Sequence, residues 1–66
     1  MIVRNLLTNQ DHEARLGTVL EDSSSSRVVV TLVESGAILD PRRWRVVQAS
    51  EQELLELPDE WDLLEV

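Results

Sequence analysis

The run from Arg27 to Val33 constrains the fold of this chain more than any other stretch. Five of its seven residues are β-branched, which favours an extended backbone. Its apolar side chains point to both faces, and a strand of that kind is covered on two sides. In a chain of 66 residues, such cover indicates either a closed barrel or a partner subunit. A homodimer through the strand from Val28 to Val33 is one of these two expectations.

Three other stretches combine β-branched and apolar residues between polar, turn-forming segments, and we predict them as short strands. They cover residues 1–7, 15–20 and 44–47. The intervening loops are predicted over residues 8–13 and 21–26, with turns at residues 34–36 and at Asp40-Pro41. Gly17 lies inside the second of these strands, where it predicts a bulge or a sharp bend.

The C-terminal part begins with a helix signal. Residues 50–53 read Ser-Glu-Gln-Glu, which is a capping-box pattern. We predict a short helix that covers Leu54, Leu55 and Leu57 and ends at Pro58, because proline removes a backbone donor. Residues 61–66 are predicted as a closing strand.

The length of the chain predicts a single domain, residues 1–66. One core of this size contributes about 3–5 kcal/mol of net stability, so small domains often add disulfides, a metal or a partner chain. The absence of cysteine excludes disulfides and cysteine-ligated zinc and fits a reducing compartment. The N-terminus lacks the apolar core of a signal peptide, and no stretch approaches the ~20 apolar residues of a membrane span. We therefore expect a cytoplasmic protein without membrane contact.

The order of these elements resembles the small SH3-like barrels, including the KOW and Tudor-like modules. The resemblance rests on residues 16–20 (LGTVL), residues 28–32 (VVVTL), the turn at Gly36 and residues 44–47 (WRVV). It implies a mostly β fold, either a small closed barrel or an open barrel of four or five short strands, with one short C-terminal helix. Such barrels usually place aromatic residues on the ligand face, and here only Trp44 is available for that role.

Charge divides the chain into two parts. Residues 1–49 are β-rich and carry six acids and six arginines, which cancel, whereas residues 50–66 carry seven acids and no basic residue. Large apolar groups are interspersed with the acids of this second part, which we call the acidic segment. That mixture suits docking on a basic, partly apolar protein surface. The predicted partner-binding residues are Glu53, Glu56, Asp59, Glu60, Trp61 and Asp62.

The apolar residues of the acidic segment have a second interpretation. The leucines and Trp61 can complete the small core while the acids face water. The two roles are compatible, because one element can bury one face and present the other to a partner. We therefore predict a non-enzymatic protein-interaction module, a small regulator or inhibitor that docks on a basic macromolecular surface.

Arginines surround Trp44 and give an alternative function. Arg42, Arg43 and Arg45 can contact phosphates while the indole stacks on a base, as in a nucleic-acid or ribonucleoprotein-binding module. The net charge of −7 argues against this class, since nucleic-acid-binding domains are usually basic. In a strand, Trp44 also points away from its arginine neighbours, and the arginines can pair with the acidic segment instead. A second alternative is a structural subunit of an oligomeric assembly.

Enzymatic chemistry has little support in the sequence. The single histidine, His12, lies between Asp11 and Glu13, but adjacent residues rarely converge on one point, so we interpret the triplet as a solvated loop. There is no nucleophile-elbow motif and no glycine-rich phosphate loop. We predict no catalytic residue, no metal site and no cofactor.

Overall fold

The computed structural model describes residues 1–63 as four strands and one helix. In chain order they are β1 (Ile2–Asn5), β2 (Asp11–Leu20), β3 (Ser26–Leu32), β4 (Trp44–Gln48) and α1 (Glu51–Glu56). The strands form one antiparallel sheet in the order β3-β2-β1-β4. The prediction of a mostly β fold with one short C-terminal helix is confirmed. The sheet is open over residues 1–63, because β3 and β4 are its two edges and do not pair with each other.

Strand β2 is the longest strand and pairs with two neighbours in succession. Its first residues lie against β1, with Asp11 opposite Arg4, and the rest of the strand lies against β3. The predicted loop over residues 8–13 is therefore wrong for residues 11–13. The Asp11 carboxylate accepts two hydrogen bonds from the Arg4 guanidinium, at 2.6 and 3.1 Å, so the polar pair stabilises the strand pairing.

Gly17 produces no bulge. The register between β2 and β3 continues without a shift through Gly17, which lies opposite Val29. The irregularity in the sheet lies instead between Ile2 and Val3, where β1 changes register against β4. No atom of the described residues would lie within 4 Å of a Cβ at Gly17, so this is an ordinary extended position with open space beside it.

Each strand contributes one buried side chain to the core, and two residues from outside the sheet complete it. The six are Val3, Ala14, Val30, Val46, Leu39 and Trp61. Three of the strand residues are valines and the fourth is alanine, so the strands alone fill little volume. The large indole of Trp61 therefore supplies much of the apolar packing.

Strand β3 is buried on both faces at its centre. Val29 is 7% exposed and Val30 is fully buried, although neighbouring strand residues point to opposite faces. The two-sided burial predicted for this strand is confirmed at these residues. An open sheet of one chain provides this burial, so it does not require a closed barrel or a partner subunit, and the homodimer through Val28 to Val33 stays a prediction.

The chain turns back along β3 after leaving it. Gly36 has a φ of 73°, a left-handed conformation that glycine adopts without steric cost. Beyond this turn the Leu32 N–H donates to the Ala37 carbonyl at 3.0 Å, and the Leu39 N–H donates to the Val30 carbonyl at 2.9 Å. The returning chain thus covers the outer edge of the C-terminal half of β3.

The predicted turn at Asp40-Pro41 is confirmed. The Asp40 carboxylate accepts a hydrogen bond from the Arg42 N–H at 2.9 Å, and the Asp40 carbonyl accepts one from the Arg43 N–H at 3.0 Å. This turn leads directly into β4.

Helix α1 begins with the predicted capping box. The Ser50 N–H donates to the Glu53 carboxylate at 2.9 Å, and the Glu53 N–H donates to the Ser50 hydroxyl at 3.2 Å. The helix ends at Glu56, one residue before Leu57, which is already extended and precedes Pro58.

After the helix, the chain reaches the outer edge of β4. The Val46 N–H donates to the Asp62 carbonyl at 3.2 Å, and Leu63 forms a single parallel bridge with Val46. The closing strand was predicted over residues 61–66, and residues 64–66 lie outside the described residues. Over residues 1–63, no helix has the length and apolar character needed to cross a membrane.

Candidate functional site

Five carboxylates of the acidic segment are exposed at the surface. They belong to Glu51, Glu56, Asp59, Glu60 and Asp62. The ion pairs within residues 1–63 join the N-terminal ammonium to Glu53, Arg4 to Asp11 and Arg27 to Glu21. None of the five exposed carboxylates takes part in them, so these groups are available to basic groups from outside the chain.

Glu53 differs from the other acids of the predicted contact set. Its carboxylate accepts the Ser50 N–H and also lies 3.5 Å from the Met1 ammonium. The hydrogen bond from the Ser50 backbone lowers the pKa of Glu53 below its usual value, and the nearby ammonium acts in the same direction. Glu53 therefore holds the start of α1 and the start of the chain together.

Trp61 is not available as a surface anchor. Its side chain is 7% exposed and packs in the core cluster with the valines of the sheet. The prediction that Trp61 contacts a partner is corrected on physical grounds, because a core made of small side chains needs the volume of the indole. The interpretation in which Trp61 completes the core is the one that the structure supports.

Three of the exposed acids lie around one groove beside the start of β3. We call it the β3 groove. Its lining consists of Arg27, Val28, Glu56, Pro58, Asp59 and Glu60. The guanidinium of Arg27 is already 3.2 Å from the Glu21 carboxylate, so the charge facing the groove is mainly that of the three acids. The surface on both sides of the groove also includes Val28.

An exposed leucine accompanies these acids. Leu55 on α1 is 87% exposed, whereas Leu57 is half-buried and packs against the core. The helix therefore presents an apolar side chain beside carboxylates, as the sequence predicted for the segment, but through Leu55 instead of Trp61. Sequence reasoning missed Leu55 and Val28 as surface residues, because both lie in apolar runs that predict burial.

The arginine cluster divides between the turn and the strand. Arg42 and Arg43 are exposed in the turn before β4, whereas Arg45 donates to the carbonyls of Pro41 and Trp44 at 2.8 and 3.0 Å. The Trp44 side chain packs against the core and meets the His12 ring edge to face, with ring centroids 5.6 Å apart. The predicted pairing of these arginines with the acidic segment does not occur within residues 1–63.

The triplet around His12 lies on β2 and not in a loop. Successive side chains of a strand point to opposite faces, so Asp11 and Glu13 are directed away from the His12 ring. Asp11 is held by Arg4, and this bond lowers the pKa of the Asp11 carboxyl. Among the described residues, no group of three or more histidine, aspartate or glutamate side chains has a metal-binding arrangement.

No protein-family model matches this sequence, and no curated protein or solved structure matches the chain.

Proposed function

We propose that the protein is a non-enzymatic interaction module, a small regulator or inhibitor that binds a basic protein surface through its acidic segment. The observation that carries the proposal is a set of exposed carboxylates that form no ion pair within residues 1–63, three of which surround one groove. Carboxylates in this arrangement steer a basic partner during encounter and fix its orientation. Leu55 supplies an exposed apolar contact beside them.

The contact set that we propose is smaller than the one predicted from sequence. It contains Glu56, Asp59, Glu60 and Asp62, with Leu55 in place of Trp61. Glu53 is left out because its carboxylate is occupied by Ser50 and the N-terminal ammonium.

A matched pair of charge reversals tests the proposal. The double variant Glu56→Lys/Glu60→Lys changes two acids at the β3 groove, and Glu13→Lys/Glu34→Lys changes two exposed acids elsewhere by the same total charge. We expect tagged wild-type protein and the Glu13/Glu34 variant to recover the same partner from nuclease-treated lysate, whereas the Glu56/Glu60 variant loses it. Equal recovery by all three proteins would refute the proposal.

The arginine cluster supports one alternative, a nucleic-acid or ribonucleoprotein-binding module related to the KOW and Tudor-like barrels. The supporting observation is that Arg42 and Arg43 are exposed and make no ion pair within residues 1–63. Recovery that disappears after nuclease treatment, and in the Arg42→Glu/Arg43→Glu variant, would favour this function. Binding of that kind weakens steeply as salt is raised.

A further inference from the structure

Strand β3 has a free hydrogen-bonding edge beside the three acids of the β3 groove. Two contacts fix which way its backbone groups point: the Val33 N–H donates to the Glu13 carbonyl, and the Glu21 N–H donates to the Ser25 carbonyl, both at 3.1 Å. In an antiparallel ladder, alternate residues bond to the same neighbour. The odd-numbered residues of β3 therefore bond to β2, and the even-numbered residues direct their N–H and C=O groups outward.

The chain itself uses only part of that outer edge. The returning segment takes the Val30 carbonyl and the Leu32 N–H. Within residues 1–63, the N–H and C=O groups of Ser26 and Val28 have no protein partner on the outer side, whereas Val30 is fully buried. The free part of the edge runs from Ser26 to Val28, which is about 7 Å at ~3.3 Å per residue, enough for a segment of about three residues.

The surroundings of this edge specify the chemistry of an occupant. Glu56, Asp59 and Glu60 lie beside Val28 in the β3 groove, and Pro41 and Trp61 line the surface next to Val28 and Val30. An extended segment placed there exposes alternate side chains to the carboxylates. Basic side chains at those positions would meet three acids, whereas acidic ones would be repelled.

We propose that an extended, basic segment of the partner protein adds to the outer edge of β3 as a further strand, hydrogen-bonded to Ser26 and Val28. This rests on the proposed function and specifies its binding mode as strand addition, in which main-chain bonds give affinity and alternate side chains give specificity. Charge favours such a segment over a second copy of this chain. Each copy has a net charge of −7, and pairing two copies at this edge would place the groove acids of both copies close together, where they repel each other.

The test uses two blocked pentapeptides of the sequence Arg-Val-Arg-Val-Arg, one unmodified and one N-methylated at all five residues. The two peptides carry the same charge, but no residue of the second has a backbone N–H to donate, whether the segment runs parallel or antiparallel to β3. We expect binding of the unmodified peptide and at least about tenfold weaker binding of the N-methylated one, because each lost hydrogen bond weakens the complex severalfold. Equal affinities would overturn strand addition and leave the charge-based function standing.

Amide hydrogen exchange locates the contact. The Val28 N–H points outward and should become protected when the unmodified peptide binds, while the Val29 N–H, which is bonded to β2, should exchange at an unchanged rate. Protection at Val28 would support the proposal. Peptide-induced changes confined to residues 56–62, or no binding by either peptide, would overturn it. So would a doubled mass in light scattering with Val28 already protected in the free protein, since a second copy would then occupy the edge.

The charge-reversal pair separates this inference from the function on which it rests. The Glu56→Lys/Glu60→Lys variant should lose the unmodified peptide, and the Glu13→Lys/Glu34→Lys variant should retain it. Loss of the lysate partner in the first variant, combined with equal affinity for the two peptides, would keep the acidic surface as the function and refute strand addition. If both variants recover the lysate partner as well as the wild type does, the proposed function itself is refuted.

Discussion

The backbone N–H of Ser50 and the carboxylate of Glu53 lie 2.9 Å apart, and the reciprocal bond returns from the Glu53 N–H to the Ser50 hydroxyl at 3.2 Å. This pair starts a helix of six residues that has no buried side chain. Such a short helix has little intrinsic stability, so its first turn depends on the cap.

Replacement of the cap should therefore destabilise the protein measurably. We expect Ser50→Ala to lower the free energy of unfolding by about 1 kcal/mol, the usual cost of losing an N-cap. Urea denaturation measures the change. Ser23→Ala, in the exposed loop between β2 and β3, is the matched control and should be neutral. Equal stability of the two variants would show that the cap contributes nothing.

Acidification should destabilise the fold through three carboxylates. Hydrogen bonds from Arg4, from the Ser24 backbone and from the Ser50 backbone lower the pKa values of Asp11, Asp22 and Glu53, respectively. A pKa that is lower in the folded state stabilises the protein fully above the unfolded value, near pH 4, and that contribution is lost as the pH falls through the folded pKa.

We therefore expect the urea midpoint to be constant from pH 7 to about pH 5 and to fall below about pH 4. Relief of repulsion within the acidic segment acts in the opposite direction, so a single-site control is needed. Asp22→Asn removes one of the lowered carboxyls and should reduce the slope below about pH 4. An unchanged slope in Asp22→Asn would contradict the assignment.

Substitution of Trp61 should affect stability and not recognition. Trp61→Ala should cost about 3–5 kcal/mol, which approaches the whole stability of a domain this small. Leu55→Ala, at a side chain that is 87% exposed, should change stability by less than about 0.5 kcal/mol. Thermal unfolding followed by circular dichroism gives both values. A stable, folded Trp61→Ala variant would place the indole at the surface after all.

The two glycines should respond oppositely to alanine. Gly17 is extended with open space around it, so Gly17→Ala should stabilise the protein by about 0.5–1 kcal/mol. Gly36 has a positive φ, and Gly36→Ala should destabilise it by about 1–2 kcal/mol. Gly36→Asn should cost less, because asparagine tolerates the left-handed conformation. Melting temperatures of the three variants test the ordering, and the same sign at both glycines would contradict it.

Local patterns predicted the local structure of this chain well. The β-branched run around Val29 became β3, and the spacing of Ser50 and Glu53 became a capping box, because each depends on neighbours within a few residues. The prediction missed residues 11–13 as part of a strand, because their side chains are polar and show no alternation of apolar and polar residues before buried Ala14. Their place in β2 is evident from the pairing of Asp11 with Arg4, which joins two separate strands.

Nonlocal features decided what the sequence left open. Two-sided burial of β3 predicts cover without saying what provides it. Here Val29 and Val30 are both buried although the sheet does not close within the described residues, and a turn at Gly36 returns the chain along the outer edge of the strand. Likewise, Trp61 suits a core and an interface equally by residue type. The small volume of Val3, Val30 and Val46 assigns it to the core, and this becomes visible only when the strands are assembled.

The hydrogen bond from the Val46 N–H to the Asp62 carbonyl makes the two sides of the sheet unequal. Polymerisation through sheet edges needs two free edges on every copy, because each copy must pair with two others. This chain occupies β4 with its own C-terminal residues at Val46 and leaves β3 free near Val28. If a partner strand adds to β3 as proposed, the occupied position at Val46 on the opposite edge disfavours growth into a fibre.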